Sequence, residues 1–169
     1  MLPLLTVLLF GGIEFGHFMW TEHQVIKAVR DGARYAGRQN FNSFDCASVT
    51  DTDVQTRIQR LTRTGFPTGD NPEITGTNNP HVRDWTSDTT VAITVDCITG
   101  ENFSGAGLYK DFTQNDVDEF GNPVTEGIAK KVIVSAEVPY PPLFGGFGFL
   151  DFFDGYKLKA TAESPVMGF

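Results

Sequence analysis

Glu14 and His17 are the side chains of the N-terminal region whose types and spacing could do chemistry. They stand three residues apart at the end of the most apolar stretch of the chain, in the sequence FGGIEFGH. Residues three apart share a helix face, so the carboxyl and the imidazole can interact within one helix. A buried carboxylate without a partner is costly in a protein core, and a lipid bilayer tolerates it little better. If Glu14 is buried, its carboxylate therefore needs a hydrogen-bond donor or a cationic group beside it.

The histidines and acidic residues around this pair do not form a metal-binding motif. His17, Glu22 and His23 have the spacing H-x-x-x-x-E-H, which fits neither H-E-x-x-H nor H-x-x-E-H. The two histidines, six residues apart, do not share a helix face. The chain also has no G-x-S-x-G element and no phosphate-binding glycine loop. We therefore predict no catalytic residues, no zinc or other metal site and no cofactor.

The acidic segment from Asn115 to Glu126 hints at a calcium-binding loop. Counted from Asp116, the fifth position is Phe120, where the EF-hand requires an oxygen ligand, and the twelfth is Gly127. A solvated loop is the favoured interpretation, and a calcium site of another kind is the alternative.

Composition restricts the class of protein. With 169 residues, 40% of them hydrophobic, the chain can form one globular domain with a real core. Its net charge of -8 argues against a nucleic-acid binder, which needs a basic surface. Cys46 and Cys97 are too few for a structural zinc site. In an oxidising compartment they would form one disulfide, worth about 4 kcal/mol in the chain-entropy model. In the cytosol, two buried thiols would be expected instead.

Residues 3 to 38 are predicted to form a single helix of about 50 Å. Its first half is apolar nearly all round, and its second half is amphipathic, with Phe18, Val25, Val29 and Ala36 on one side. Such a helix is typical of a membrane anchor that continues into a soluble domain. The opposite side of the second half carries a basic stripe, formed by Lys27, Arg30, Arg34 and Arg38.

The basic stripe has several interpretations. A solvated helix face is the commonest role for such residues. Because the stripe lies just beyond a membrane anchor, lipid headgroups and the acidic surface of a neighbouring subunit are the alternative partners.

The remainder of the chain predicts an α+β fold with a short helix and an antiparallel sheet. A second helix starts at Asp51 or Thr52, runs to about Thr64 and ends at Gly65 and Pro67. After a polar loop at 66–90, the strands VAITVDC, KKVIVSAEVPY and YKLKATAES all alternate, as expected for a sheet with one covered face. We therefore divide the chain into a membrane-anchor helix, 1–38, and a globular α+β domain, 39–169.

A segment rich in proline, glycine and phenylalanine, PYPPLFGGFGFLDFFDG, separates the last two strands. Some of its rings are expected to fill the core of the sheet. The second interpretation is a contact surface for a partner or for the membrane. The rings concerned are Phe144, Phe147, Phe149, Phe152 and Phe153.

Three stretches of the N-terminal region closely resemble the signature of the TadE-like family, pilin-like proteins of the tight-adherence (Tad, or Flp) pilus. Residues 3–5 supply its Pro-Leu-Leu run, and residues 12–16 match its Gly-apolar-apolar-Glu-Phe-Gly element, with the first glycine offset by one place. Residues 28–36 match its Ala-Arg-x-Gly-Ala-Arg-Tyr-Ala stretch, except that Val29 intervenes. The resemblance covers about the first 38 residues.

The resemblance implies a pilin-like fold and a structural role as a minor pilin or pseudopilin in assembling a Tad-type pilus. Its partners would be other pilin-like subunits, the Tad assembly machinery and membrane lipids. The protein would cross the bacterial inner membrane once, with the globular part in the periplasm or on the cell surface. The alternative is a membrane-tethered binding or adhesion module, whose loop at 66–90 and Phe-rich segment would hold an extracellular ligand.

For the assembly role, we expect Glu14 to contact a donor or cationic group on another subunit. Small residues beside it, Gly11, Gly12 and Gly16, would let helix backbones approach closely. The alternative is that Glu14 and His17 lie at the membrane interface, solvated by headgroups.

The cleavage element of the family, a glycine followed by a glutamate, would lie upstream of Met1. Glu14 is not that glutamate. If Glu14 were the fifth residue of a mature pilin, the cleavage glycine would occupy position 9, which is Leu9. We therefore expect Met1 to be an internal methionine, or the chain to be shortened.

Overall fold

A computed structural model of the protein describes residues 2–67, 80–98, 129–144 and 155–167. Within these ranges two helices and five strands follow one another along the chain, with short 3-10 turns at Phe41–Ser43 and Asp88–Thr90. The helices and strands are α1 (Leu2–Gly37), β1 (Phe44–Asp45), β2 (Ser48–Val49), α2 (Thr52–Thr64), β3 (Val91–Ile98), β4 (Ala129–Pro139) and β5 (Lys157–Pro165). The predicted α+β class is confirmed.

Helix α1 has 36 residues, which gives a length of about 54 Å, and its bounds agree with the predicted 3–38 to one residue. Among the described residues, it is the helix that is long and apolar enough, by length and composition, to cross a membrane. At its C-terminal end, the Gly37 carbonyl accepts a hydrogen bond of 2.8 Å from the Met167 N–H. The end of the described chain thus returns to the end of the first helix.

Helix α2 begins and ends where the sequence predicts. The Asp51 side chain accepts hydrogen bonds from the N–H groups of Asp53 and Val54, as expected of an N-cap. Gly65 follows the helix with a φ of 83°, and its N–H donates to the Leu61 carbonyl. A left-handed residue at this place favours glycine, which explains why the helix stops there.

The larger sheet has the strand order β3-β4-β5, and both pairs are antiparallel. Its inner face pairs apolar residues such as Val95 with Val132. Its outer face carries pairs of opposite charge, including Lys131 with Glu163 and Glu137 with Lys159. The sheet therefore has one covered face and one polar face, as the alternation predicts.

The second half of α1 forms the centre of the hydrophobic core, between the sheet and α2. Val25, Val29 and Ala36 are fully buried there. Gly32 faces α2 so closely that a Cβ at this position would overlap the Thr62 Oγ1 atom. The glycine thus allows the two helices to approach each other.

Two features of the fold have no counterpart in the sequence-based prediction. Strands β1 and β2 form a small hairpin that buries Phe44. In the segment predicted as a polar loop, Val82 and Trp85 are buried. An ion pair between Arg63 and Asp88 and a hydrogen bond of 2.8 Å from the His81 N–H to the Arg63 carbonyl hold that segment against α2.

Candidate functional site

Glu14 is fully buried, with 1% of its surface exposed, because the segment after β4 covers it. The Tyr140 hydroxyl donates to its Oε1 atom at 2.7 Å. The backbone N–H of Leu143 donates to the same oxygen at 3.2 Å, and the N–H of Phe144 donates to Oε2 at 3.3 Å. All of these donors are neutral groups of the same chain, and each contact joins residues more than 120 positions apart.

His17 completes this arrangement through Tyr140. Its Nδ1 atom lies 3.0 Å from the Tyr140 hydroxyl oxygen. With its hydroxyl proton donated to Glu14, Tyr140 has an oxygen that can accept a hydrogen bond from His17 Nδ1. Burial, followed by the hydrogen bond to Glu14, raises the pKa of Tyr140, so that the hydroxyl keeps its proton. We call these residues, Glu14, His17, Tyr140, Leu143 and Phe144, the Glu14 network.

The local sequence explains why the chain meets Glu14 at this point. Pro141 and Pro142 have no N–H group and end the pairing of β4 after Pro139. The next two N–H groups along the chain are those that bond to Glu14. Aromatic contacts fix the segment on α1: the ring of Phe144 lies 5.1 Å from that of Phe10, and the ring of Tyr140 lies 5.2 Å from that of Phe18.

Tyr140 is the residue of the candidate site that the sequence analysis did not predict. A signal existed, because a tyrosine that is buried at the end of a strand needs a partner for its hydroxyl. Glu14, in an apolar helix, needed a donor. Neither residue reveals the other by spacing, since 126 positions separate them.

The three glycines predicted to flank Glu14 lie on different faces of α1. At 100° per residue, Gly12 and Gly16 lie about 160° from Glu14, on the outward face. Both are exposed, and a Cβ at either position would meet no atom within 4 Å. Gly11 lies about 60° from Glu14, at the edge of the covered face, and it also has open space. The structure therefore separates Glu14 from the Gly12–Gly16 face.

The basic stripe is exposed and points away from the core, opposite to the side of α1 that carries Val25 and Val29. Arg34 lies 3.9 Å from Asp31 in a solvated pair, which contributes at most about 1 kcal/mol.

A groove of about 250 Å³ lies beside the Glu14 network, between α1 and the segments around His81 and Leu143. Its lining includes Trp20 and Arg83, and an Arg83 nitrogen donates to the Pro142 carbonyl at 3.3 Å. Burial lowers the pKa of His81, with a smaller opposing effect from Asp31 and a further small lowering from Lys27. The groove thus combines an apolar wall with one cationic group.

Three predicted features fall wholly or partly outside the described residues: positions 68–79 of the polar loop, the acidic segment 115–126, and the rings of Phe147, Phe149, Phe152 and Phe153. Of the predicted contact residues, Phe144 is described and belongs to the Glu14 network. In the part of the chain that the structure describes, no group of three or more His, Cys, Asp or Glu side chains could hold a metal ion.

The two cysteines are joined. Cys46, at the turn of the β1–β2 hairpin, forms a disulfide with Cys97 in β3. The bond ties the hairpin to the edge of the sheet, where the Ala47 N–H also donates to the Val95 carbonyl at 3.0 Å.

Comparison with protein families gives one match, and it lies on the helix that carries these features. Residues 1–34 match the family model of TadE-like proteins. The match confirms the resemblance over nearly the whole of α1, including Glu14 and the Gly12–Gly16 face. No curated protein sequence matches the chain, and no solved structure matches its fold. The TadE-like segment points to a component related to the Tad pilus.

Proposed function

We propose that this protein is a membrane-anchored structural subunit of a Tad-type pilus, in the manner of a minor pilin or pseudopilin. Helix α1 packs side by side with the helices of other pilin-like subunits, and the globular part stays outside the cytoplasm. The observation that carries the proposal is the exposed apolar surface of the first half of α1, on a segment that is TadE-like.

The apolar surface has the properties of a segment that leaves water. Leu4, Leu5, Leu8 and Leu9 are each at least 60% exposed, and Trp20 continues the same surface. Soluble monomers rarely expose a contiguous apolar patch of this kind. Trp20 is followed after a few residues by the basic stripe, which is a sequence of side chains suited to the membrane–water boundary.

Lateral packing would use the Gly12–Gly16 face. The two glycines are four residues apart with open space in front of them, so that a second helix backbone can approach closely. In this proposal Glu14 acts indirectly. It holds the globular part at one place along α1 and thereby sets how that part is presented when helices pack.

The disulfide supports an oxidising location for the globular part. We therefore assign the protein to the bacterial inner membrane, crossing it once, with the globular part in the periplasm or at the cell surface. Other pilin-like subunits, the assembly machinery and membrane lipids are its proposed partners.

A second candidate function is a tethered binding or adhesion module. The groove beside Trp20 and Arg83 favours it, because an apolar wall with one cationic group is a common form of ligand site. In that case α1 would serve only as a tether.

Bulky substitutions on α1 distinguish the two functions. Gly12→Leu and Gly16→Leu fill the proposed packing face, and Gly11→Leu is the matched control off that face. We expect the first two variants to be lost from sheared pili and from subunit cross-links in native membranes, while the control is retained. Formation of the Cys46–Cys97 disulfide reports folding in each variant. Retention of all three variants would contradict the assembly role and favour the tether.

A further inference from the structure

The segment Pro141–Phe144 lies against the part of α1 whose outer surface is apolar and exposed. We propose that this segment enters the lipid bilayer beside α1, as a second membrane-contacting segment whose backbone N–H groups are bonded to Glu14. The proposal rests on the membrane anchoring of α1 in the proposed function. The bilayer proposal goes beyond the proposed anchoring of α1, because the segment Pro141–Phe144 lies more than 100 residues after the end of that helix.

Helix geometry gives the depth of the segment. Trp20 is the last large exposed apolar residue of α1 before the charged second half, and tryptophan is enriched at membrane interfaces. Glu14 lies six residues before Trp20, or about 9 Å along the axis, and Phe10 lies about 15 Å before it. Because Leu143 and Phe144 bond to Glu14 and Phe144 contacts Phe10, a bilayer that covers the helix up to Trp20 also covers this segment.

The backbone N–H groups of the segment meet one requirement of a lipid environment. In hydrocarbon each unsatisfied N–H costs several kcal/mol, and irregular backbone is tolerated at membrane depth only where protein covers its polar groups. Pro141 and Pro142 have no N–H, and those of Leu143 and Phe144 donate to Glu14. The buried carboxyl thus accepts from every N–H group of the four residues.

The outward surface of the segment also suits lipid. The side chain of Leu143 is 47% exposed and lines the groove together with Trp20, which is 60% exposed. The guanidinium of Arg83, which is two-thirds exposed and lies 3.7 Å from Asp84, supplies a hydrogen bond to the Pro142 carbonyl. We therefore take acyl chains, rather than a second copy of the protein, as the occupant of this surface.

Depth-dependent fluorescence quenching tests the proposal in the full-length protein, with its native disulfide intact. An environment-sensitive fluorophore is attached at Leu143→Cys, with Ile13→Cys as the reference on α1 and Arg57→Cys, exposed on α2, as the aqueous control. The protein is reconstituted in vesicles of phosphatidylethanolamine and phosphatidylglycerol that carry nitroxides midway along the acyl chain, and iodide is added as the aqueous quencher.

We expect the labels at positions 143 and 13 to lose emission to the acyl-chain nitroxide and to resist iodide, and the label at 57 to behave in the opposite way. Iodide access at position 143 with lipid quenching at 13 would overturn the proposal and leave the anchor in place. Iodide access at both positions would overturn the proposed anchor as well. Protection at 143 from both quenchers would mean that protein covers the surface, which contradicts the assignment to lipid.

The role of Glu14 is tested separately in the Leu143→Cys protein. Glu14→Gln keeps the side-chain size but replaces one acceptor oxygen with a donor, so we expect the label to become shallower and more accessible to iodide. Glu22→Gln, on α1 but outside the Glu14 network, is the matched control and should leave the depth unchanged. An unchanged depth in the folded Glu14→Gln protein would show that Glu14 does not hold the segment.

Discussion

The two halves of α1 have opposite surfaces. In the first half, up to Trp20, the large apolar side chains are exposed, with Leu4 at 71%, and the fully buried side chain is the polar Glu14. In the second half Val25 and Val29 are buried, and the basic stripe is exposed. In the first half of this continuous helix the exposed side chains are apolar and the fully buried one is polar. In the second half the exposed stripe is basic and the buried side chains are mostly apolar. Each half is suited to a different solvent, lipid for the first and water for the second.

The glycines of α1 repeat this contrast. Gly32, in the second half, lies where α2 leaves no room for a side chain, whereas Gly12 and Gly16, in the first half, face open space. The same residue type thus serves contact within the chain at one end and leaves room for contact between chains at the other.

The largest expected effect comes from removing the disulfide, which should destabilise the globular part and leave the first half of α1 unchanged. Replacing Cys46 and Cys97 together by serine should lower the free energy of unfolding of the globular part by about 4 kcal/mol, since a loop of about 50 residues is no longer closed in the unfolded chain. Denaturant unfolding of the protein in lipid nanodiscs measures the loss. Hydrogen exchange in the first half of α1 should not change; faster exchange there would mean that the halves are coupled.

A matched pair of glycine substitutions sharpens the comparison. Gly32→Ala should destabilise the globular part by about 1–3 kcal/mol, because the added methyl group overlaps Thr62. Gly12→Ala should be neutral or stabilising by up to about 1 kcal/mol, because alanine favours the helix and meets no atom. Thermal unfolding of the two variants checks the difference. Equal changes in stability for the two variants would mean that Gly12 and Gly32 are packed equally closely, which would contradict the contrast between the two halves of α1.

The contact between the first half and the globular part is tested by Tyr140→Phe. Loss of the hydroxyl removes one donor from the buried Glu14, at a cost of about 1–3 kcal/mol. We expect faster hydrogen exchange at the amides of Leu143 and Phe144, with little change in the sheet. Tyr156→Phe, at an exposed tyrosine, is the control and should leave these amides unchanged. Equal protection in both variants would show that the hydroxyl does not hold the segment.

The smallest expected effect is a dependence on pH at the boundary between the halves. Burial lowers the pKa of His81 below its ordinary value of 6.5, so the unfolded chain binds a proton that the folded chain does not in the window just below that value. Stability should therefore decrease as the pH falls through this window and level off below the folded pKa. Unfolding curves across the window measure the slope. His81→Gln should flatten it, and a slope that survives this substitution would assign the pH dependence to another group.

Local patterns in the sequence were sufficient to predict α1, α2 and the three longer strands. Their periodicities extend over eight residues or more, and Asp51 and Gly65 mark the ends of α2 chemically. The β1–β2 hairpin escaped prediction because two-residue strands show no alternation, and its turn includes Ala47 at a φ of 78°, which is uncommon for alanine.

The candidate site was predictable only in part. Glu14 and His17 stand out because their types conflict with the apolar residues around them. Their partner Tyr140 and the two backbone donors come from a segment that no local pattern connects with α1. Similarly, the burial of Trp85 in a polar stretch depends on the ion pair between Arg63 and Asp88, which spans 25 positions. Contacts of this range are set by tertiary packing.

The return of the chain end to Gly37 determines the order in which the protein can mature. Strand β5 covers the second half of α1, and Met167, which bonds to Gly37, is made 130 residues later. At about 5–20 residues per second, ribosomes need roughly ten seconds for that length. During this time α1 is complete, but the face that carries Val25 and Val29 has no covering strand. As the membrane anchor that we propose, the first helix would therefore enter the membrane before its own globular part exists, and β5 would cover that face late in folding.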